Sequence, residues 1–206
     1  SRQVIFWKGL GGQFTKLHEY AEHEANVNSV AFAPQQYGLM LATASSGGSF
    51  AVLTFDYNTG QWSVNRVNQA HEQGVTTISW APAVSLGAFK GRDECVAPRR
   101  LVTAGNDKLV KIWSQSMPGA RWTLEKQLAG HTDFVRDVSW NPVIHNDTLT
   151  IASCGQDRSL LLWRCRGTGD GEWSCKQLEK ADGALWHVSW SQCGKVLALS
   201  GEDSKV

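Results

Sequence analysis

Aromatic residues and histidine recur along this chain at intervals of nine: Phe14, His23 and Phe32, then Trp62, His71 and Trp80, then Trp122, His131 and Trp140. A fourth copy, Trp173 to Trp190, is one residue shorter and has Ala181 and Asp182 where the histidine belongs. Self-similarity at a period of about 50 to 60 residues describes units too small to enclose a core each, which bury their apolar faces by stacking on one another.

The aromatic that closes each copy ends a segment of alternating large and small residues: Val27 to Phe32, Val75 to Trp80, Val135 to Trp140 and Ala184 to Trp190. A period of two built from β-branched and aromatic residues predicts a strand. Pro34, Pro82 and Pro142 follow two residues later and, lacking a backbone donor, stop that strand; the fourth copy has Gln192 there. Next come a second apolar run, a polar turn and a third run ending in an aromatic. One copy reads Leu101 to Ala104, Asn106-Asp107-Lys108 and Leu109 to Trp113; the next reads Ile151 to Cys154, Gln156-Asp157-Arg158 and Leu160 to Trp163. Gly60-Gln61-Trp62, Gly119-Ala120-Arg121-Trp122 and Gly171-Glu172-Trp173 then open a fourth, outermost strand after a glycine turn.

Four short strands per unit and no convincing amphipathic helix predict an all-β fold made of β-propeller blades. Large and small residues on both faces suit a blade held between two neighbours, because a strand with one wet face would carry polar residues there. The spacing divides the chain, as part of one propeller domain, into 1–22 (the end of one blade), 23–70, 71–130, 131–180 and 181–206 (the start of another), so about four to five blades are in view. Turn positions at Ser1 and at Glu202-Asp203-Ser204 put both ends inside strands. That predicts a window onto a longer propeller rather than a ring of four blades, since half-finished sheets expose unpaired backbone. The connection from Pro82 to Arg99 is about ten residues longer than its equivalents and is a candidate recognition loop.

Composition removes several function classes. With 20 Lys and Arg against 19 Asp and Glu, the net charge of +1 lacks the field of a nucleic-acid binder. No apolar run approaches the roughly 20 residues that cross a bilayer. Cys95, Cys154, Cys165, Cys175 and Cys193 are odd in number and contain no C-x-x-C pair. They read as free thiols in a reducing compartment, not as a disulfide framework or a zinc site. Asn146-Asp147-Thr148 matches a glycosylation sequon but reads as a chance triplet.

His71, Thr103 and Asp107 are the residue types of a hydrolytic triad, and His131, Ser153 and Asp157 repeat them. A nucleophile needs one preorganised cleft with an oxyanion hole, whereas these groups recur once per unit with Trp113 or Trp163 six residues beyond the aspartate. They are predicted to be a structural relay in which aspartate accepts from histidine, histidine meets the hydroxyl, and the hydroxyl meets the indole N–H. His18, His145 and His187 show no ligand spacing, and the glycine-rich stretches lack a phosphate-loop context, so no catalytic site, metal or cofactor is predicted. Four residues before each ladder-closing aromatic stand Asn28, Thr76, Arg136 and Trp186. They vary while the framework repeats, which makes them candidate partner contacts at the mouth of the central channel. Trp186 leads, since aromatics and arginine dominate binding hot spots.

The histidine and Asp-x5-Trp punctuation resembles the WD-repeat family. Longer strings sharpen the likeness: Asn26-Val27-Asn28-Ser29-Val30-Ala31-Phe32-Ala33-Pro34, Ser79-Trp80-Ala81-Pro82-Ala83, Val135-Arg136-Asp137-Val138-Ser139-Trp140, Ile151-Ala152-Ser153-Cys154 and Leu185-Trp186-His187-Val188-Ser189-Trp190. Within the WD repeats they are similar to the Sec-thirteen family, the propeller subunits shared by the COPII vesicle coat and the Y-shaped scaffold of the nuclear pore. The resemblance implies a non-enzymatic scaffold with a six-bladed open propeller, of which this chain would run from the second blade to the sixth. It further implies a larger partner, either the outer-coat protein or a scaffold nucleoporin, that donates a further blade by strand addition. The implied location is the cytoplasmic face of the endoplasmic reticulum, its vesicles and the nuclear pore, peripheral to membranes through the coat and without nucleic acid. Gly47 in place of the turn aspartate, Leu199 in place of the hydroxyl, and the missing fourth histidine depart from the pattern.

Overall fold

A computed structural model describes residues 1–83, 98–167, 169 and 171–202. The long connection after Pro82, Cys95 and the turn after Glu202 fall largely outside the described residues. Sixteen strands form among those described. They are β1 (Val4–Leu10), β2 (Gln13–Tyr20), β3 (Val27–Phe32), β4 (Met40–Ser45), β5 (Phe50–Asp56), β6 (Gln61–Val67), β7 (Val75–Trp80) and β8 (Arg99–Gly105). Then follow β9 (Leu109–Gln115), β10 (Thr123–Ala129), β11 (Val135–Trp140), β12 (Thr148–Gly155), β13 (Ser159–Arg166), β14 (Ser174–Lys180), β15 (Leu185–Trp190) and β16 (Leu197–Gly201). A single 3₁₀ turn, Gln35–Tyr37, is the one helical element described.

The strands pair in sequence order into antiparallel meanders. Three sheets have four strands, β3 to β6, β7 to β10 and β11 to β14; β1–β2 and β15–β16 form two-stranded sheets. First strands lie beside first strands, β3 against β7, β7 against β11 and β11 against β15, so the sheets are blades arranged around their innermost strands. The fold is therefore an array of β-propeller blades.

The core lies between blades. Successive residues of a middle strand point to opposite faces, and both faces are covered. Leu101 of β8 packs with Met40, Ala42 and Phe50 of the preceding blade, while its neighbours Val102 and Ala104 pack with Val135, Ile151 and Trp163 of the following one. The same switch occurs in β4, where Leu41 faces Val4 and Phe6 but Ala42 faces the next blade. It occurs again in β12, where Ala152 and Cys154 meet Leu185 and Val188. Each fully buried aliphatic side chain contributes about 2 kcal/mol, so the seams hold the array together.

Aromatics line the same seams, paired within a blade or across to the preceding one. The rings of Trp80 and Trp122 meet edge to face at 5.7 Å, and those of Trp140 and Trp173 at 6.0 Å. Trp62 turns to the preceding sheet and packs on Phe6 at 4.5 Å. Phe32 and Phe14, which open the ladder in sequence, are exposed, unlike Trp80 and Trp140.

Candidate functional site

In the blade β7 to β10, the His71 ring links strand and turn. Its Nδ1 lies 2.7 Å from Asp107 Oδ1, its Nε2 2.8 Å from Thr103 Oγ1, and Trp113 Nε1 donates to that hydroxyl at 2.9 Å. The next blade repeats this with His131 Nδ1 3.0 Å from Asp157 Oδ2, Nε2 2.8 Å from Ser153 Oγ, and Trp163 Nε1 donating to Ser153 Oγ at 2.9 Å. An indole can only donate, so the hydroxyl accepts from it and donates its own proton to Nε2. Nδ1 then keeps the proton that goes to the carboxylate. Asp157 also accepts from the backbone N–H of Thr132 and Ser159, which ties the β12–β13 turn to the chain entering β11.

This arrangement cannot launch a nucleophile. Thr103 and Ser153 have no accessible surface, and each hydroxyl already has a donor and an acceptor as partners. Burial holds His71 and His131 below the ordinary histidine range, although the aspartate beside each pulls the other way. Asp107 is held below the usual carboxylate range by its bond to His71 against the opposing effect of burial. A neutral histidine bonded to a carboxylate is a strut, fixed at both ends.

The first copy is incomplete. His23 Nε2 reaches Thr43 Oγ1 at 2.7 Å, but Gly47 stands at the aspartate position, Leu53 at the indole position, and His23 Nδ1 is buried without a hydrogen-bond partner among the described residues. Ser45 occupies the place of Gly105, where a β-carbon would collide with His71 Nδ1. A full relay thus needs glycine at the strand end as well as aspartate in the turn, a requirement that the Asp-x5-Trp spacing conceals.

Asn28, Thr76, Arg136 and Trp186 occupy one equivalent place. Each is the extra residue where the register shifts between Val27 and Ser29, Val75 and Thr77, Val135 and Asp137, or Leu185 and His187. Such a bulge re-aims a side chain out of the strand's alternation. Asn28 Nδ2 donates to Val75 O of the next blade at 2.8 Å, and Thr76 Oγ1 lies 2.8 Å from Val135 O and 2.9 Å from Ala104 O. Arg136 instead donates through Nε and Nη2 to Gln156 Oε1, with its guanidinium 5.6 Å from the Phe134 ring and 5.0 Å from the Trp186 ring.

The sequence reading missed a buried carboxylate, Asp137. It accepts from its own neighbour Val138 N, from Val188 N of the next sheet at 2.9 Å, and pairs with His187 Nδ1 at 2.6 Å. Its signal was available: a charge at a strand position that holds Ser29 and Thr77 in the two preceding copies. Lys111 is a second buried charge that it missed, with Nζ donating to Ala70 O at 2.7 Å and lying 3.6 Å from Asp107 Oδ2. At the far end of the first strands, a cleft of about 440 Å³ runs between Phe32, Pro34, Trp80, Pro82, Trp140 and Pro142. No group of three or more His, Cys, Asp or Glu that could hold a metal occurs among the described residues.

Comparison with known proteins agrees with this architecture. The family described as "WD domain, G-beta repeat" matches residues 62–114 and 122–164. "Protein transport protein sec13" of Aspergillus clavatus is 41% identical over 214 residues, covering 99% of this chain and 71% of the relative. The chain belongs to the Sec13 family of WD-repeat proteins. "Protein SEC13 homolog" of Drosophila melanogaster is 43% identical over the whole chain, and its human namesake 43% identical over 79% of it. The chain spans 58% of the fly Sec13 homolog and 51% of the human one.

Proposed function

We propose that this chain is part of a non-enzymatic scaffold subunit of the COPII vesicle coat, acting in transport from the endoplasmic reticulum to the Golgi, and of the outer scaffold of the nuclear pore. One observation carries the reading: 95% of the chain or more aligns, at 40–44% identity, with relatives named as Sec13 homologs or as protein transport proteins. Inaccessible relay hydroxyls support a structural role over hydrolysis. The mechanism is geometric. Blades that share their core across every seam form a stiff body, and an elongated partner that inserts a blade of its own into an open six-bladed propeller gains a fixed angle within a lattice. On this reading the five sheets belong to one propeller domain, the partner is a larger coat or nucleoporin scaffold protein, and membranes are met only through the coat.

The test is co-expression of the full-length protein with a scaffold partner that carries the blade-donating segment. Soluble yield and Tm are expected to rise with the partner, and deletion of the segment to abolish co-purification. A full-length protein that is monodisperse and equally stable alone, and that fails to co-purify with the partner, overturns the reading.

A further inference from the structure

The incomplete first relay keeps the partners of an aspartate without the aspartate. In the blade β7 to β10, His71 Nδ1 lies 2.7 Å and Lys111 Nζ 3.6 Å from the Asp107 carboxylate, and Lys111 Nζ also donates to Ala70 O, just ahead of the histidine. In the blade β3 to β6, Ala51 stands at the lysine's position, and Arg66, its partner across β5 and β6, supplies the cation instead. Arg66 Nη1 donates at 3.0 Å to Glu22 O, again just ahead of the histidine. Gly47 offers no carboxylate between them.

His23 Nδ1, Tyr20 Oη and Arg66 Nε are each buried without a hydrogen-bond partner among the described residues. His23 and Tyr20 are both 3% exposed, their rings meet edge to face at 5.2 Å, and the Arg66 charge acts on both. Ser45, fully buried, adds a hydroxyl whose Oγ accepts from Gly47 N at 3.3 Å and keeps its own proton to give. Thr43 Oγ1 has two acceptors in reach, His23 Nε2 at 2.7 Å and Ala51 O at 3.3 Å. When it donates to Nε2, a neutral His23 carries its proton on Nδ1, the tautomer of the complete relays.

We propose that Tyr20, His23, Ser45 and Arg66 hold a small monovalent anion, chloride or a carboxylate the size of formate, in the place that the Asp107 and Asp157 carboxylates take in the next two blades. Each of these groups can donate, and the guanidinium supplies the charge. The site therefore selects an ion that only accepts over a water, which has two protons of its own to place. Ala25 limits the size, since a β-carbon on Gly47 would stand 3.2 Å from Ala25 Cβ and 3.8 Å from Ser45 Oγ. A bound ion ties the chain entering β3 to the turn after β4, as Asp157 ties its counterparts, and makes the stability of this blade depend on the anion present. The site is separate from the blade-insertion reading and stands or falls without it.

The experiment uses the full-length protein at constant ionic strength, with sodium gluconate replaced stepwise by chloride, bromide or formate, and reads Tm and the nitrogen shifts of the His23 imidazole. Tm is expected to rise along a saturating curve with each of the three ions, and His23 to move toward the Nδ1–H tautomer. Arg66→Gln is expected to weaken the ion about tenfold and Tyr20→Phe about threefold. Gly47→Asp combined with Ser45→Gly builds the carboxylate into the chain and gives His23 the glycine that His71 has. That variant is expected to have a Tm that no longer responds to the ion. In crystals grown with bromide, an anomalous peak is expected within hydrogen-bonding reach of His23 Nδ1 and Arg66 Nε, and it decides the matter if a variant unfolds. A Tm that responds equally in the parent protein and the Gly47→Asp, Ser45→Gly variant, or a site that holds water and gives no anomalous peak, overturns the proposal.

Discussion

At the scale of the residue, the relay histidines couple stability to proton concentration. Burial lowers the folded-state pKa of His71 and His131, whereas an unfolded histidine titrates near about 6.5. Between the folded value and about 6.5 the unfolded chain binds more protons than the folded one, so stability rises with pH across that window. The contribution is complete above about pH 6.5 and is lost as the pH falls through the folded values. We therefore expect a Tm that is flat between about pH 8 and 7 and declines below about 6.5, with a shallower decline in His131→Gln. Imidazole resonances of His71 or His131 titrating above about 6.5 would contradict this. Asp107 shifts in the same destabilising direction at lower pH, because its depressed carboxyl must be protonated before the relay lets go.

At the scale of the element, the hairpin turns carry a cost that differs between copies. Lys108 and Arg158 have φ of 69° and 66°, a left-handed conformation that side chains with a β-carbon adopt at about 1 kcal/mol. The first copy has Gly48 there, at φ 83°, and cannot exchange it, since a β-carbon would collide with His71 O of the next blade. Lys108 and Arg158 are exposed and serve no such contact. Lys108→Gly and Arg158→Gly are expected to gain up to about 1 kcal/mol each in denaturant unfolding, the relief of strain being partly offset by the freedom of glycine in the unfolded chain. A loss of more than about 1 kcal/mol in either would show that the side chain, not the backbone, decides these turns.

At the scale of the whole molecule, the seams set stability, and their polar bonds are not uniform. Trp80 Nε1 donates to Ala31 O of the preceding blade at 2.9 Å and Trp190 Nε1 to Ser139 O at 3.1 Å, whereas Trp140 Nε1 has no hydrogen-bond partner among the described residues. Trp80 and Trp140 are both buried, so replacing either by phenylalanine leaves a similar cavity. The difference between them isolates the hydrogen bond. Trp80→Phe is expected to be destabilised by about 1 kcal/mol more than Trp140→Phe in equilibrium unfolding. Equal losses would mean that the aromatic packing alone closes the seam.

The blade pattern was legible in the sequence because both faces of the middle strands are buried. Strands stopped at Pro82 and Pro142, the apolar runs Leu101 to Ala104 and Ile151 to Cys154 that follow them, and the turn residues Asp107 and Asp157 carry strand, turn and pairing order locally. The relay partners were legible for a related reason: hydroxyl, aspartate and indole sit at fixed offsets within one hairpin, and the histidine precedes the strand before it, 32 residues ahead of Thr103 and 22 ahead of Ser153. What no spacing conveys is which atoms meet once strands pair and blades stack. The bulges at Asn28, Thr76, Arg136 and Trp186, the buried Asp137 that accepts from Val188, and the fit of Gly105 against His71 depend on atoms brought together across a seam or a turn. Local periodicity specifies which face a side chain takes, whereas the partner across that face is set only when the blades stack.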